Sequence, residues 1–117
     1  MFTSNAWANY WNYDECGRYD QKPCLSKDGE LLEGRHEKIG PMDRVHMVIH
    51  VKKGVLNGIY ERYEYHGHPD GHIAFRANYK DGKLHGIAEE YDAYYSDGKL
   101  LIKYTYVEGE LISFQEF

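Results

Sequence analysis

The stretch Asn78-Tyr79-Lys80-Asp81-Gly82-Lys83-Leu84-His85-Gly86-Ile87-Ala88-Glu89-Glu90-Tyr91 decides the fold. It has a near copy upstream, Val51-Lys52-Lys53-Gly54-Val55-Leu56-Asn57-Gly58-Ile59-Tyr60-Glu61-Arg62-Tyr63. Gly54, Leu56, Gly58, Ile59, Glu61 and Tyr63 return as Gly82, Leu84, Gly86, Ile87, Glu89 and Tyr91, at a constant offset of 28. Self-similarity at a period of about 20–50 residues marks a repeat architecture, in which each unit buries its apolar face against its neighbours.

The period continues in both directions. Gly71 and Gly98 follow the two tyrosines, and the next turn glycine, Gly82 or Gly109, comes 11 residues after each. The unit is therefore strand, tip, strand, turn. Upstream, Asp28-Gly29 opens a looser copy; allowing one inserted residue, Leu32, Gly34, Glu37 and Ile39 fall on Leu84, Gly86, Glu89 and Tyr91. Downstream, Glu108-Gly109-Glu110-Leu111 opens a partial copy. Tyr10 and Gly17-Arg18-Tyr19 sit like Tyr91 and Gly98-Lys99-Leu100. Three units are fairly complete and two are partial.

The strands identify themselves by alternation. Val45, Met47, Ile49 and Val51; Ile73, Phe75, Ala77 and Tyr79; Leu100, Ile102, Tyr104 and Tyr106 are all apolar or aromatic. His46, His50, Arg76, Asn78, Lys103 and Thr105 lie between them. A period of two in three separate segments is a β signal, and it places the twelve apolar positions on one face. Asp-Gly at 28–29, 70–71, 81–82 and 97–98 favours tight hairpin turns. The expected fold is all-β: a single-layer antiparallel meander of β-hairpin repeats. About eight strands would span about 38 Å. With no helix in the sequence to cover a face, the aromatic side of that layer is only partly buried.

With 117 residues the chain reads as one domain, residues 1–26 forming an N-terminal cap and 27–117 the repeats. Trp7 and Trp11 would cover the first strand. Tyrosine supplies 12 residues, and its polar tip suits half-wet surfaces better than a dry core. The net charge of −5, with no basic stripe, makes nucleic acid a poor partner. The opening residues show neither a basic nor an apolar leader region, and no run approaches the length of a membrane span. A soluble, cytoplasmic protein is expected. A disulfide between Cys16 and Cys24 is possible on spacing alone, but in that compartment reduced, structural thiols are expected.

The run Tyr79-Lys80-Asp81-Gly82-Lys83-Leu84-His85-Gly86, with Gly54 and Gly58 one unit earlier, resembles MORN repeats. The Glu-Tyr ending and longer period look more like the variant MORN repeats of bacterial toxin–antitoxin and immunity proteins. The resemblance covers roughly residues 27–117. It departs where Gly40-Pro41 interrupts one unit, and where a small residue is Tyr60 in one copy and Ala88 in another. It implies a β-hairpin stack without catalytic residues or cofactor, used to bind and block another protein. The lipid association of eukaryotic relatives carries over poorly to an acidic chain with no polybasic patch.

Glu37, Glu61, Glu89 and Glu116 occupy one slot in four units, with aliphatic or aromatic residues two positions away on either side in most copies. A row of carboxylates in a closed apolar core would be untenable without partners. The row is therefore open to water, or each Glu meets a donor such as a Tyr hydroxyl or Arg35. One reading is a structural ladder of Glu–Tyr hydrogen bonds. The other is an acidic, Tyr-lined groove for a basic partner, formed by Glu61, Tyr63, Tyr79, Glu89, Tyr91, Tyr104 and Tyr106. His66, His68 and His72 supply metal-ligand types around a Gly- and Pro-rich segment. A solvated hairpin tip explains them better, so no metal is assigned.

These residues point to a protein-binding module that occludes a partner: an antitoxin or immunity-type inhibitor of a basic toxin or defence protein. Three alternatives stand beside it. They are a phage or mobile-element inhibitor of host defence, a small metal-dependent enzyme using the His tip, and a scaffold self-assembling through edge strands.

Overall fold

Three two-residue turns set the spacing of the strands. In Lys53-Gly54, Asp81-Gly82 and Glu108-Gly109 both residues have positive φ, between 46° and 90°. That conformation reverses a hairpin while matching its twist, and asparagine, aspartate and glycine adopt it most readily. The structure, a computed structural model, describes residues 16–65, 70–92 and 98–117. The roles expected of Trp7, Trp11, His66 and His68 lie outside the described residues.

Among the described residues, nine strands form one antiparallel sheet: β1 (Gly34–Ile39), β2 (Val45–Lys52), β3 (Val55–Leu56), β4 (Gly58–Glu64), β5 (His72–Lys80), β6 (Lys83–Leu84), β7 (Gly86–Tyr91), β8 (Leu100–Val107) and β9 (Glu110–Glu116). Their order is β1-β2-β4-β5-β7-β8-β9, with β3 on β2 and β6 on β5. This is the expected meander, and it is not closed. A 3-10 turn, Pro41–Asp43, stands where a tip was expected between β1 and β2.

Each inner hairpin has a short arm and a long arm. Leu84 pairs with Tyr79; the chain then turns at Gly86 (φ +89°), and β7 runs on beside β8. Asn78 stitches the break: its carbonyl accepts from His85 N at 2.9 Å, and its Nδ2 donates to His85 O at 3.2 Å. In the last unit Ser113 takes the place of Gly86, and β9 runs along β8 as one strand with a bulge at Ile112.

The registers correct the expected placement of the twelve apolar positions. Met47 lies opposite Lys38, and Val45 opposite Ile39, leaving His46 as an extra residue. Ala74 and Leu101 are the equivalent bulges in β5 and β8. Neighbours on a strand point to opposite faces, so a one-residue bulge reverses the parity beyond it. Val45, Ile73 and Leu100 therefore lie on the face opposite the other nine. Those nine share a face with Tyr60, Ala88 and Leu84, which we call the cap face. The other, with Glu37, Glu61 and Glu89, is the ladder face.

Residues 16–32 cover the first half of the cap face. Cys24 and Leu32 join Met47, Ile49, Val51, Leu56, Tyr60 and Tyr79 in one buried cluster, with Cys16, Phe75 and Leu84 at its margin. The segment is bonded to the turns through its backbone: Tyr19 N to Gly82 O (3.0 Å), Cys24 N to Gly54 O (2.8 Å) and Leu56 N to Gly17 O (2.8 Å). Cys16 and Cys24 are joined as a disulfide, which corrects the expectation of two free thiols. The reason is local. Gly17 N bonds Lys22 O at 2.8 Å, folding the segment so that the two Cα atoms are 5.0 Å apart.

Two outcomes follow. A Cβ on Gly82 would sit 2.7 Å from Tyr19 N, whereas one on Gly86 would meet nothing within 4 Å, although both residues have positive φ. Gly82→Ala should cost about 3 kcal/mol of stability and Gly86→Ala about 1 kcal/mol, read from urea denaturation. Equal costs would show that residues 16–32 do not press on the turn. Reduction of Cys16–Cys24, a bridge spanning eight residues, should lower stability by about 2.5 kcal/mol while leaving the β signal in circular dichroism intact.

Candidate functional site

The recurrent glutamates form a charged row across the ladder face. Its cross-strand order is Glu37, Val48, Glu61, Arg76, Glu89, Lys103 and Gln115. Directly opposed residues of antiparallel strands lie close enough to interact, and alternating charge makes those pairs favourable. Arg76 is the residue that reading the sequence missed. Its Nε and Nη2 lie 2.9 and 2.8 Å from Glu61 Oε2. The bond to Glu61 raises the Arg76 pKa above its ordinary value. Nothing in the spacing singled out Arg76, because only the register of β4 against β5 brings it to Glu61.

Each inner glutamate also takes the tyrosine two residues on. Tyr63 donates to Glu61 at 3.2 Å, and Tyr91 donates to Glu89 at 2.9 Å. Burial first, and the neighbouring carboxylate second, raise both phenol pKa values. Arg35 pairs with Glu37 at 2.9 Å. The ladder of Glu–Tyr hydrogen bonds is therefore present, and the carboxylates of Glu61 and Glu89 are engaged within the sheet. Glu116 does not belong to it. The bulge at Ile112 in β9 leaves Glu116 opposite Ile102 on the cap face, so sharing a sequence slot did not mean sharing a face.

The seven residues expected to form one groove are divided between two faces. Glu61, Tyr63, Glu89 and Tyr91 lie on the ladder face. Tyr79, Tyr104 and Tyr106 lie on the cap face. Tyr79 is 5% exposed within the core, and its hydroxyl accepts from Arg18 Nε at 3.2 Å. It serves the packing of residues 16–32 and offers no free ring. Tyr60, also buried, packs against Tyr79 with ring centroids 5.5 Å apart.

Tyr104 and Tyr106 occupy the second half of the cap face. Their centroids are 6.1 Å apart, and Tyr104 donates to Glu90 at 2.7 Å. Ala88, opposite Tyr104 on β7, is buried and small. On the other side, Leu111 lies opposite Tyr106 and Phe114 opposite Tyr104. Leu111 is 47% and Phe114 59% exposed. The apolar face thus continues beyond the part covered by residues 16–32 and becomes accessible. Sequence alternation found the two tyrosines but not Leu111 and Phe114, whose facing depends on a bulge at Ile112.

His72 opens β5 opposite Glu64. Among the described residues no three His, Cys, Asp or Glu side chains gather as a metal site. Nor, among them, is any helix long and apolar enough to cross a membrane. Compared with protein-family models, curated proteins and solved structures, the chain matches none.

The Glu90 bond, with burial second, pushes the Tyr104 phenol up from 10.0 to about 12. A folded pKa above the unfolded one means that this bond stabilises fully below pH 10 and is lost as pH rises towards about 12. Ultraviolet titration of the wild type minus Tyr104→Phe should show one tyrosinate appearing near pH 12. Ionisation near pH 10 would mean that the Glu90 contact does not persist in solution.

Proposed function

We propose that this chain is a non-catalytic protein-binding module that occludes a partner protein, as an antitoxin or immunity-type inhibitor does. The observation that supports it most is the accessible half of the cap face, where Tyr104 and Tyr106 stand beside exposed Leu111 and Phe114. Contiguous accessible apolar surface of this kind marks interaction sites, and aromatic anchors supply much of their binding energy. The net charge of −5 favours a basic partner and quickens encounter with it. The resemblance to variant MORN repeats supplies the inhibitor class.

In this reading the seven expected residues divide their work. Tyr104 and Tyr106 meet the partner. Glu61, Tyr63, Glu89 and Tyr91 brace the sheet, because their polar groups already bond one another. Tyr79 holds the core. Residence in the cytoplasm belongs to the same proposal. The Cys16–Cys24 bond weighs against it, since disulfides persist mainly in oxidising compartments.

The test begins with the product of the neighbouring gene, co-expressed with this chain and purified as a complex. Tyr106→Ala should weaken that complex by about 2 kcal/mol, roughly 30-fold, with little change in melting temperature. Tyr91→Ala should lower the melting temperature and leave the affinity of the folded fraction unchanged. The reverse pattern would move the binding surface to the ladder face. Failure of the neighbour to bind or be inhibited would remove the antitoxin reading.

A further inference from the structure

The two outer strands of the sheet are protected very differently. A free strand edge is a template for pairing with another chain, and proteins usually guard it with charge, proline or a covering segment. Strand β1 carries Arg35, His36, Glu37 and Lys38 among its six residues. Strand β9 carries a bulge at Ile112 but no charged residue from Leu111 to Gln115, and every one of its residues is exposed. Ile112 and Phe114 are each 59% exposed. The two glutamates of β9, Glu110 and Glu116, stand only at its ends.

We propose that β9 pairs antiparallel with β9 of a second copy, making a two-fold dimer with one sheet continuous through both protomers. The charges choose the register. Centring the pair on Ser113 would bring Glu110 beside Glu116 of the other copy twice, even allowing for the bulge at Ile112, and neighbouring like charges are destabilising. Centring it on Phe114 sets Ser113 against Gln115, two side chains able to hydrogen-bond, and opposes no like charges. The Phe114 rings then meet on the cap face, joining the Tyr104–Tyr106 strip of each protomer. A two-fold axis makes the contact self-complementary and closes the assembly at two. The guarded β1 edges stay outside it and resist head-to-tail growth. One strand pair buries less than the roughly 1,200 Å² of a standard stable interface, so the dimer is weak and concentration-dependent. This inference rests on the free edge of β9 and not on the inhibitor role, although Phe114 belongs to both surfaces.

Sedimentation equilibrium of the full chain across the micromolar range should show the mass rising from 13.7 kDa and levelling at twice that value. Ile112→Lys, which guards the edge at an already exposed position, should weaken dimerisation at least tenfold. Its circular dichroism and melting temperature should match the wild type's. Under mild oxidation Phe114→Cys should form a covalent dimer. Glu110→Cys should not, because this register separates the two Glu110 positions by roughly 25 Å. A monomer at every concentration would overturn the proposal, as would a mass climbing past the dimer or equal cross-linking of the two cysteine variants. If Ile112→Lys abolishes dimerisation while the neighbour's product still binds, the two surfaces are separate. If the wild type dimerises and binds no partner, only the inhibitor reading fails.

Discussion

One backbone hydrogen bond, made three times, sets the stacking of the units. The turn glycine of each hairpin donates its N–H to the leucine carbonyl one unit earlier: Gly54 to Leu32, Gly82 to Leu56 and Gly109 to Leu84, each at 2.8 Å. Positive φ turns the glycine N–H along the direction of stacking. The leucine comes two residues after the preceding turn glycine in the two regular units. Such a bond contributes only about 1 kcal/mol net. Its effect on geometry is larger, because it holds successive turns in line and so brings Leu32, Leu56 and Tyr79 into one core. Residues 16–32 join the same line of turns through Gly54 and Gly82, so the segment that covers the cap face is an extension of the stack.

The bulges then divide the work of the two faces. Without them, Val45, Ile73 and Leu100 would lie with the core residues, and Ile39, Tyr63 and Tyr91 on the ladder face would lose their apolar cross-strand neighbours. With them, each apolar residue stands across from the aromatic or aliphatic end of a ladder: Val45 by Ile39, Ile73 by Tyr63 and Leu100 by Tyr91. Apolar contact at one end of the row and charge pairing at the other allow carboxylates to sit on a half-buried surface. Arg76 is central to this, since it lies between Glu61 and Glu89 and neutralises a row that would otherwise repel itself. Bulges also increase the local twist of the strands that carry them.

Coverage of the cap face is unequal, and that inequality separates core from candidate binding surface. The same alternation of apolar residues runs from β2 to β9. Its first half meets Cys24 and Leu32; its second half continues to Leu111 and Phe114, which stay exposed. Chemically similar tyrosines thus acquire different roles. Tyr79 packs under Arg18, while Tyr104 ties to Glu90 and keeps its ring at an accessible surface.

The repeat, the turn glycines Gly54, Gly82 and Gly109, the strands and the meander were legible in the residues, because a 28-residue offset and a period of two are local properties that need no knowledge of pairing. Of the Asp-Gly pairs, only Asp81-Gly82 is a two-residue hairpin turn among the described residues. The pairing of glutamate with the tyrosine two positions on was legible for the same reason: alternation alone puts both on one face. Register is a different kind of property. A bulge at His46, Ala74 or Leu101 reverses facing without changing composition, so no count of apolar positions could have moved Val45, Ile73 and Leu100 to the ladder face. Glu116 left its expected face because the bulge at Ile112 reverses the parity of β9 beyond it. Arg76 met Glu61, and Cys16 met Cys24, through a cross-strand register and a folded turn respectively. Hydrophobic pattern specifies which residues seek burial; strand pairing and the path of residues 16–32 decide where along the cap face that burial is achieved.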